Sequence, residues 1–226
     1  MNRILLSALS LLAIALSPLT HAAQTWTEGE QYQLVQPAQR TTVPAGKVEV
    51  LEVFSYGCIA CNSFQPIMEK LKASLPPNAQ MAYLHAAFNT SESWPLFQRA
   101  YFAAQSLGIA DRTHQAMFDA IWQTGQLAVI DKATRQIRKP QPTLDDVAKF
   151  YEKAAGIKPE AFLAAANSFA IDAKMKAADV QIAAMKVPGT PSLIVNGKYR
   201  VDMNGIGSIE ELIDVIKFLI AKETKK

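Results

Sequence analysis

The only two cysteines of the 226-residue chain, Cys58 and Cys61, stand three positions apart in the stretch EVFSYGCIACNSFQP, residues 52–66. A thiol pair at this spacing can exchange disulfides with another molecule, supply half of a metal site, or close an idle local bridge. As a staple it does little, because a disulfide gains most by closing a long loop in the unfolded chain, and this loop is among the shortest possible. A chain of this length buries an adequate core without staples in any case. A closed zinc site needs about four ligands. Beyond the cysteines, only His85 and His114 lie after residue 22, with no HxxxH and no second CxxC. His85 falls in an apolar run and His114 beside Met117 and Phe118, so packing or surface roles are expected of both. Redox exchange is the leading chemistry.

Those thiols need elements to hold them. KVEVLEVFSY is β-branched and apolar, as expected of a strand covered on both faces, and it ends at Gly57. After Cys58, Phe64, Ile67, Met68 and Leu71 recur at helical spacing until Pro76 and Pro77; Pro66 inside that helix removes one backbone hydrogen bond and is expected to kink it. Cys58 thus falls at a strand-to-helix junction, where unpaired N–H groups and the helix dipole favour thiolate over thiol. Cys61, one turn further in, is expected to be covered. Cys58 is therefore assigned as nucleophile and leaving group, Cys61 as resolving thiol.

AQMAYLHAAF reads as a second strand, parallel to the first because the helix supplies a crossover. From Ser91 to about Met185 the pattern is helical throughout, broken at Gly108, Gly125, Pro140, Pro142 and Gly156, with Thr143 and Asp146 as a cap and Pro159 in a first turn. Trp94, Trp122, Phe97, Phe102 and Phe118 in this stretch are expected to be core. PSLIVNGKYRVD carries the hairpin signal Asn196-Gly197. Ser208 and Glu211 form a capping box for a last helix with the apolar face Ile209, Leu212, Ile213, Ile216, Leu219 and Ile220. Residues 23–46 are a polar lead-in in which EQYQLV suggests a short strand, and the KETKK tail is a solvated end.

The first residues read as a secretory signal. MNR precedes a 13-residue apolar run, Ile4 to Leu16, then Pro18 and the small residues Thr20 and Ala22 around His21. Cleavage is expected after Ala22, since the run falls short of the roughly 20 residues that span a bilayer. Neither cysteine lies near the start, so no lipid-bearing cysteine is expected. The remaining 204 residues carry 22 basic and 20 acidic side chains, a net +2, which argues against nucleic acid or strong membrane steering.

The order strand, helix, strand, helical stretch, hairpin, helix is α/β: a thioredoxin fold with an inserted all-helical domain. The divisions expected are a signal peptide at 1–22, the first part of the thioredoxin-fold domain at 23–89, the helical insert at 90–178 and the second part at 179–226. EVFSYGCIAC, SESWPLFQRAYFAAQ and VPGTPSLIVNGKYRV resemble the DsbA family of secreted thiol:disulfide oxidoreductases over nearly the whole of the cleaved chain.

The resemblance implies a redox-active Cys58–Cys61 disulfide with no metal or organic cofactor. It also implies that Glu52 is a buried acid exchanging protons with the inner cysteine, where the sequence alone equally allows a glutamate held by a lysine. It implies a cis Thr190-Pro191 bond that offers the Thr190 backbone to an extended substrate, with Ile59, Ala60 and Gly189 also in contact with it. The partners implied are unfolded or reduced secreted polypeptides and a membrane quinone reductase of the DsbB kind, in the periplasm.

Two departures matter. The family usually has proline and histidine where Ile59 and Ala60 stand, and often valine where Thr190 stands. Without an imidazole at position 60 one stabiliser of the Cys58 thiolate is missing, and each pKa unit lost is about 1.4 kcal/mol, or about 30 mV toward a more reducing couple. A milder oxidant is expected. Threonine before the proline is common in related isomerases and reductases, which form the alternative reading. The 24 residues between Ala22 and Lys47 are too few for the dimerisation domain of such isomerases, so a monomer is expected. A non-redox peptide- or metal-binding protein, or a relative acting on glutathione conjugates, stands further off; the latter generally lacks a second cysteine.

Overall fold

The computed structural model describes residues 25–224; the segment expected to be a signal peptide lies outside them. A five-stranded sheet has the order β1-β5-β4-β2-β3. Its strands are β1 (Tyr32–Leu34), β2 (Val48–Phe54), β3 (Ala79–His85), β4 (Ser192–Val195) and β5 (Tyr199–Val201). β2 is buried along its whole length. It pairs parallel with β3, from Val48 opposite Ala79 to Phe54 opposite His85, and antiparallel with β4. The parallel pair is possible because α1 (Ile59–Ser74) makes the crossover.

Side chains of β2 alternate between faces. Val48 and Val50 join Phe64, Met68 and Leu71 of α1 and Leu212, Val215, Ile216 and Leu219 of α7 (Ile209–Thr224) in one core. Leu51 and Val53 join the second core, built on α2 (Trp94–Ser106), α3 (Ala110–Trp122), α4 (Leu144–Ala155), α5 (Pro159–Ala166) and α6 (Phe169–Ala184). Glu52 shares the face of Val48 and Val50, the one that α1 covers. Among the described residues no helix is long and apolar enough to cross a membrane.

Between β3 and β4 the chain is helical, but not throughout as its pattern suggested. Residues 123–143 form no helix. Gly125 and Arg135 take positive φ (77° and 58°), and Pro140 and Pro142 have no N–H to give. Asp131 Oδ1 instead accepts from the backbone N–H groups of Ala133 and Thr134, a local turn that competes with helix. On either side, Thr143 and Asp146 make a reciprocal capping box and Pro159 opens α5. Ser208 caps α7 through the Glu211 N–H, while the Glu211 carboxylate takes the Gly207 N–H rather than that of Ser208.

The β4–β5 connection turns at Asn196 and Gly197, both at positive φ (52° and 63°). A side chain at Gly197 would also meet the Gln39 carbonyl oxygen at 2.2 Å. Glycine is needed there twice over, for the turn and for the lead-in segment at Gln39 that crosses it.

Candidate active site

The strand-to-helix junction after β2 is held at almost every backbone group. The Tyr56 N–H donates to His85 Nε2 at 3.0 Å, and the Tyr56 carbonyl accepts from Trp122 Nε1 at 2.8 Å. The Gly57 N–H donates to Ser55 Oγ at 3.2 Å and the Cys58 N–H to the Ser55 carbonyl at 3.1 Å. Trp94 lies against Gly57 so closely that a Cβ there would sit 2.8 Å from the indole. This turn delivers Cys58 to the N-cap of α1, where its sulfur accepts the Cys61 N–H at 3.4 Å.

Both cysteines are free thiols, with Cys58 8% exposed and Cys61 fully buried. The Cys58 thiol donates to the Thr190 carbonyl at 3.3 Å, across 132 positions of sequence. The Thr190-Pro191 bond is cis. Once ionised, Cys58 has no proton for that carbonyl and takes donors instead. The Cys61 thiol is the strongest of these, followed by the Thr190 hydroxyl and the backbone N–H groups of Cys61 and Ala60. Together they outweigh burial and bring the Cys58 pKa down to about 6. In the dithiol state the Thr190 hydroxyl is buried with no hydrogen-bond partner among the described residues, so it is available to the thiolate.

Cys61 is pushed the other way, far above an ordinary thiol. Burial is the main cause, followed by its donated hydrogen bond to Cys58, the charge of Cys58 and, last, that of Glu52. Glu52 is fully buried, and neither carboxylate oxygen has a hydrogen-bond partner among the described residues, so no lysine holds it. Burial, with a smaller contribution from the Cys58 charge, raises its pKa to about 8. A carboxyl group that stays neutral at pH 7 can give a proton to a departing thiolate and accept it back.

Of the residues picked from sequence, Cys58 is in direct contact with Cys61 and Thr190, Pro191 follows in the chain, and Glu52 is linked to both thiols by charge, raised by that of Cys58 and itself raising Cys61. Ile59 (58% exposed) and Ala60 lie open to solvent beside Cys58. The Gly189 carbonyl is turned inward to accept from Ser192 Oγ at 2.7 Å. His85 is buried with its pKa lowered to about 3, chiefly by burial, and His114 bonds the Tyr56 hydroxyl at 3.1 Å. The part that sequence reading missed is the clasp of Tyr56, His85, Trp94 and Trp122. Tryptophan N–H and a buried histidine both demand a partner, a signal that the residues carried but that named no partner. A cavity of about 730 Å³ runs along the outer edge of β3 and is lined by none of Cys58, Cys61 or Thr190.

Comparison with known proteins places this geometry. The family model described as Thioredoxin matches residues 43–215. The thiol:disulfide interchange protein DsbA of Pseudomonas aeruginosa is 30% identical over 99% of this chain and 97% of its own, and that of Pseudomonas syringae pv. tomato is 30% identical over 99% and 96%. The crystal structure of DsbA from Xylella fastidiosa superposes with a TM-score of 0.74 at 30% identity, covering 88% of this chain and 98% of that one. A Proteus mirabilis DsbA with a non-covalently bound peptide superposes with a TM-score of 0.68 at 25% identity, covering 88% and 100%. The chain belongs to the DsbA family of thioredoxin-fold thiol:disulfide oxidoreductases.

Proposed function

We propose that the protein donates disulfides to reduced polypeptides in the periplasm, reached through cleavage of residues 1–22, as a monomer recharged by a membrane quinone reductase of the DsbB kind. The observation that carries this direction is the split between its thiols. A low pKa at Cys58 stabilises the reduced pair, and a couple with a stabilised reduced form is an oxidant.

In the forward reaction a substrate thiolate attacks Cys58 Sγ of the Cys58–Cys61 disulfide. The Cys58–Cys61 bond breaks, and Cys61 leaves with the electron pair and takes the proton of neutral Glu52. A second substrate thiolate attacks the substrate sulfur of the mixed disulfide and expels Cys58 as a stable thiolate. The substrate has lost two electrons and the enzyme has gained them, with no cofactor. The Thr190 backbone beside Cys58 offers an edge for an extended chain, in keeping with the peptide held by the Proteus relative. Ile59, Ala60 and Gly189 would flank that chain.

The deciding measurement is the reduction potential of the Cys58–Cys61 pair against a glutathione buffer. A value well above thioredoxin's, which lies near roughly −270 mV, establishes a donor. A value at or below it makes the protein a reductant or isomerase, the reading that Thr190 favours. Failure to cycle leaves a binding protein.

A further inference from the structure

A second cavity, about 260 Å³, opens at the end of α6, where the chain runs on toward Thr190. Ala87 and Phe88, just after β3, form one wall; Ile182, Ala183 and Val187, at the end of α6, form the other. Phe88 is 49% exposed, so its ring is open to solvent on the cavity wall. Asp179 and Lys186 stand on the rim.

The walls are built rather than incidental. The end of α6 is closed by the Lys186 N–H on the Ala183 carbonyl (3.0 Å) and the Val187 N–H on the Ile182 carbonyl (3.3 Å), with Lys186 at φ +51°. Gln98, 1% exposed, ties the two walls together: its Nε2 donates to the His85 carbonyl and to Asp179 Oδ1, both at 2.9 Å. His85 in turn holds the Tyr56 N–H before Cys58. From Asp179 on its rim, the cavity is thus three hydrogen bonds from the active-site turn.

We infer that this cavity is a specificity pocket that takes one apolar side chain of the substrate polypeptide, near the cysteine that reacts with Cys58. The inference rests on the proposed function and deepens it. Size selects the occupant: small-molecule sites run to about 300–1,000 Å³, and this cavity falls below them, at the scale of a single leucine, methionine or phenylalanine side chain. Continuity supplies the address. Val187 is three residues before Thr190, at most about 11 Å at one Cα step of 3.8 Å each, and an extended chain advances about 3.3 Å per residue. A substrate lying along the Thr190 edge reaches the cavity within about four residues of its cysteine. Asp179 and Lys186 then face the substrate backbone where it leaves the pocket.

The test uses the oxidised full-length mature protein and single-cysteine peptides of glycine and serine, in which one leucine is moved through the four positions on each side of the cysteine. The rate of peptide thiol consumption is read at several protein concentrations. A leucine at one or two positions should speed the reaction about tenfold over serine, and Ala183→Phe, which fills the cavity from the helix surface, should abolish that preference. The rate with glutathione, which has no apolar side chain to insert, should be unchanged in the variant and certifies its fold; Ala87→Leu repeats the test from the other wall. A wild type indifferent to leucine position, or a preference that survives both fillings, overturns the pocket. So does a preference that appears only as protein concentration rises, which would mark a second copy as the occupant. In each of those cases a normal glutathione rate leaves the thiol chemistry standing, whereas failure with glutathione and every peptide alike sinks the function beneath it.

Discussion

Glu52 and Glu223 are both carboxylates withdrawn from water, at opposite ends of the sheet. Glu223, near the end of α7 with its side chain 3% exposed, accepts from Asn196, Lys198 and Tyr199 around the β4–β5 turn. Burial pushes its pKa up, but those hydrogen bonds outweigh burial and leave it lowered. Glu52 lies deeper, fully buried, with no hydrogen-bond partner among the described residues, and its pKa rises to about 8. A paired carboxylate fastens a corner of the fold, and an unpaired one stores a proton. The difference lies in neighbours as well as depth, and it places the cost of burial at the end of the sheet that holds the thiols.

The largest effect should come from removing the stored proton. The folded pKa of Glu52 lies above its unfolded value near 4.5, so the folded state holds more protons than the unfolded one, and stability falls as pH rises from about 4.5 to 8. Glu52→Gln should therefore stabilise the protein at pH 7 by up to about 3 kcal/mol and do nothing at pH 4. Cys58 works in the opposite sense. Its folded pKa, about 6, lies below the ordinary 9, so its contribution is full above pH 9 and is lost as pH falls through 6. In the reduced wild type these slopes oppose each other between pH 6 and 8. Denaturant titrations of reduced Glu52→Gln across that range should show stability climbing with pH; a flat or falling profile breaks the contrast between the two glutamates.

The second substitution tests the other member. Glu223→Ala strips three donors of their acceptor and should cost about 2 kcal/mol, with the Cys58 titration and the reduction potential unmoved. A shifted potential would mean that the two ends of the sheet are coupled.

Legibility in the sequence follows the range of the interaction. β2, α1, the Asn196-Gly197 turn and the Thr143 box are local patterns of period, cap and turn chemistry, and all four lie where their residues pointed. The paired cysteines named the chemistry because their spacing is itself local. The breaks at Gly125, Pro140 and Pro142 were legible, but the absence of helix between them was not, because apolar residues such as Leu127, Val129 and Ile130 keep a helix-like pattern while an aspartate turn decides the backbone. The clasp on the Cys58 turn was missed because its partners are distant: Trp122 reaches a carbonyl 66 positions earlier, and backbone carbonyls leave no trace in residue type. Glu52 could be suspected from a carboxylate in an apolar strand, but its lack of a partner is a property of the packed molecule.

That clasp gives the third prediction. Trp122→Phe keeps an aromatic against the turn but leaves the buried Tyr56 carbonyl without its donor, which should cost about 1.5 kcal/mol. If the clasp also positions Cys58 for the N–H groups of Cys61 and Ala60, the Cys58 pKa should climb from about 6 toward 9, as read by thiolate absorbance. A stability loss with no change in that titration would reduce Trp122 to packing.

The smallest effect is the most direct test of what sets the potential. Position 60 carries alanine, exposed next to the thiol, where the family usually has histidine, yet Cys58 already titrates near 6 on hydrogen bonds alone. An imidazolium there adds a charge to a thiolate that is already stabilised, so Ala60→His should lower the Cys58 pKa by no more than about one unit, equivalent to about 1.4 kcal/mol and about 30 mV toward a more oxidising couple. Because an ordinary histidine is charged mainly below its pKa near 6.5, the rise should be larger at pH 6 than at pH 8. A rise of equal size at both would mean that the imidazole acts as a hydrogen-bond donor rather than a charge. No rise at all would show that the Thr190 and Cys61 donors saturate the thiolate, in which case the missing histidine leaves the potential where those donors set it and the protein is no milder an oxidant for its alanine.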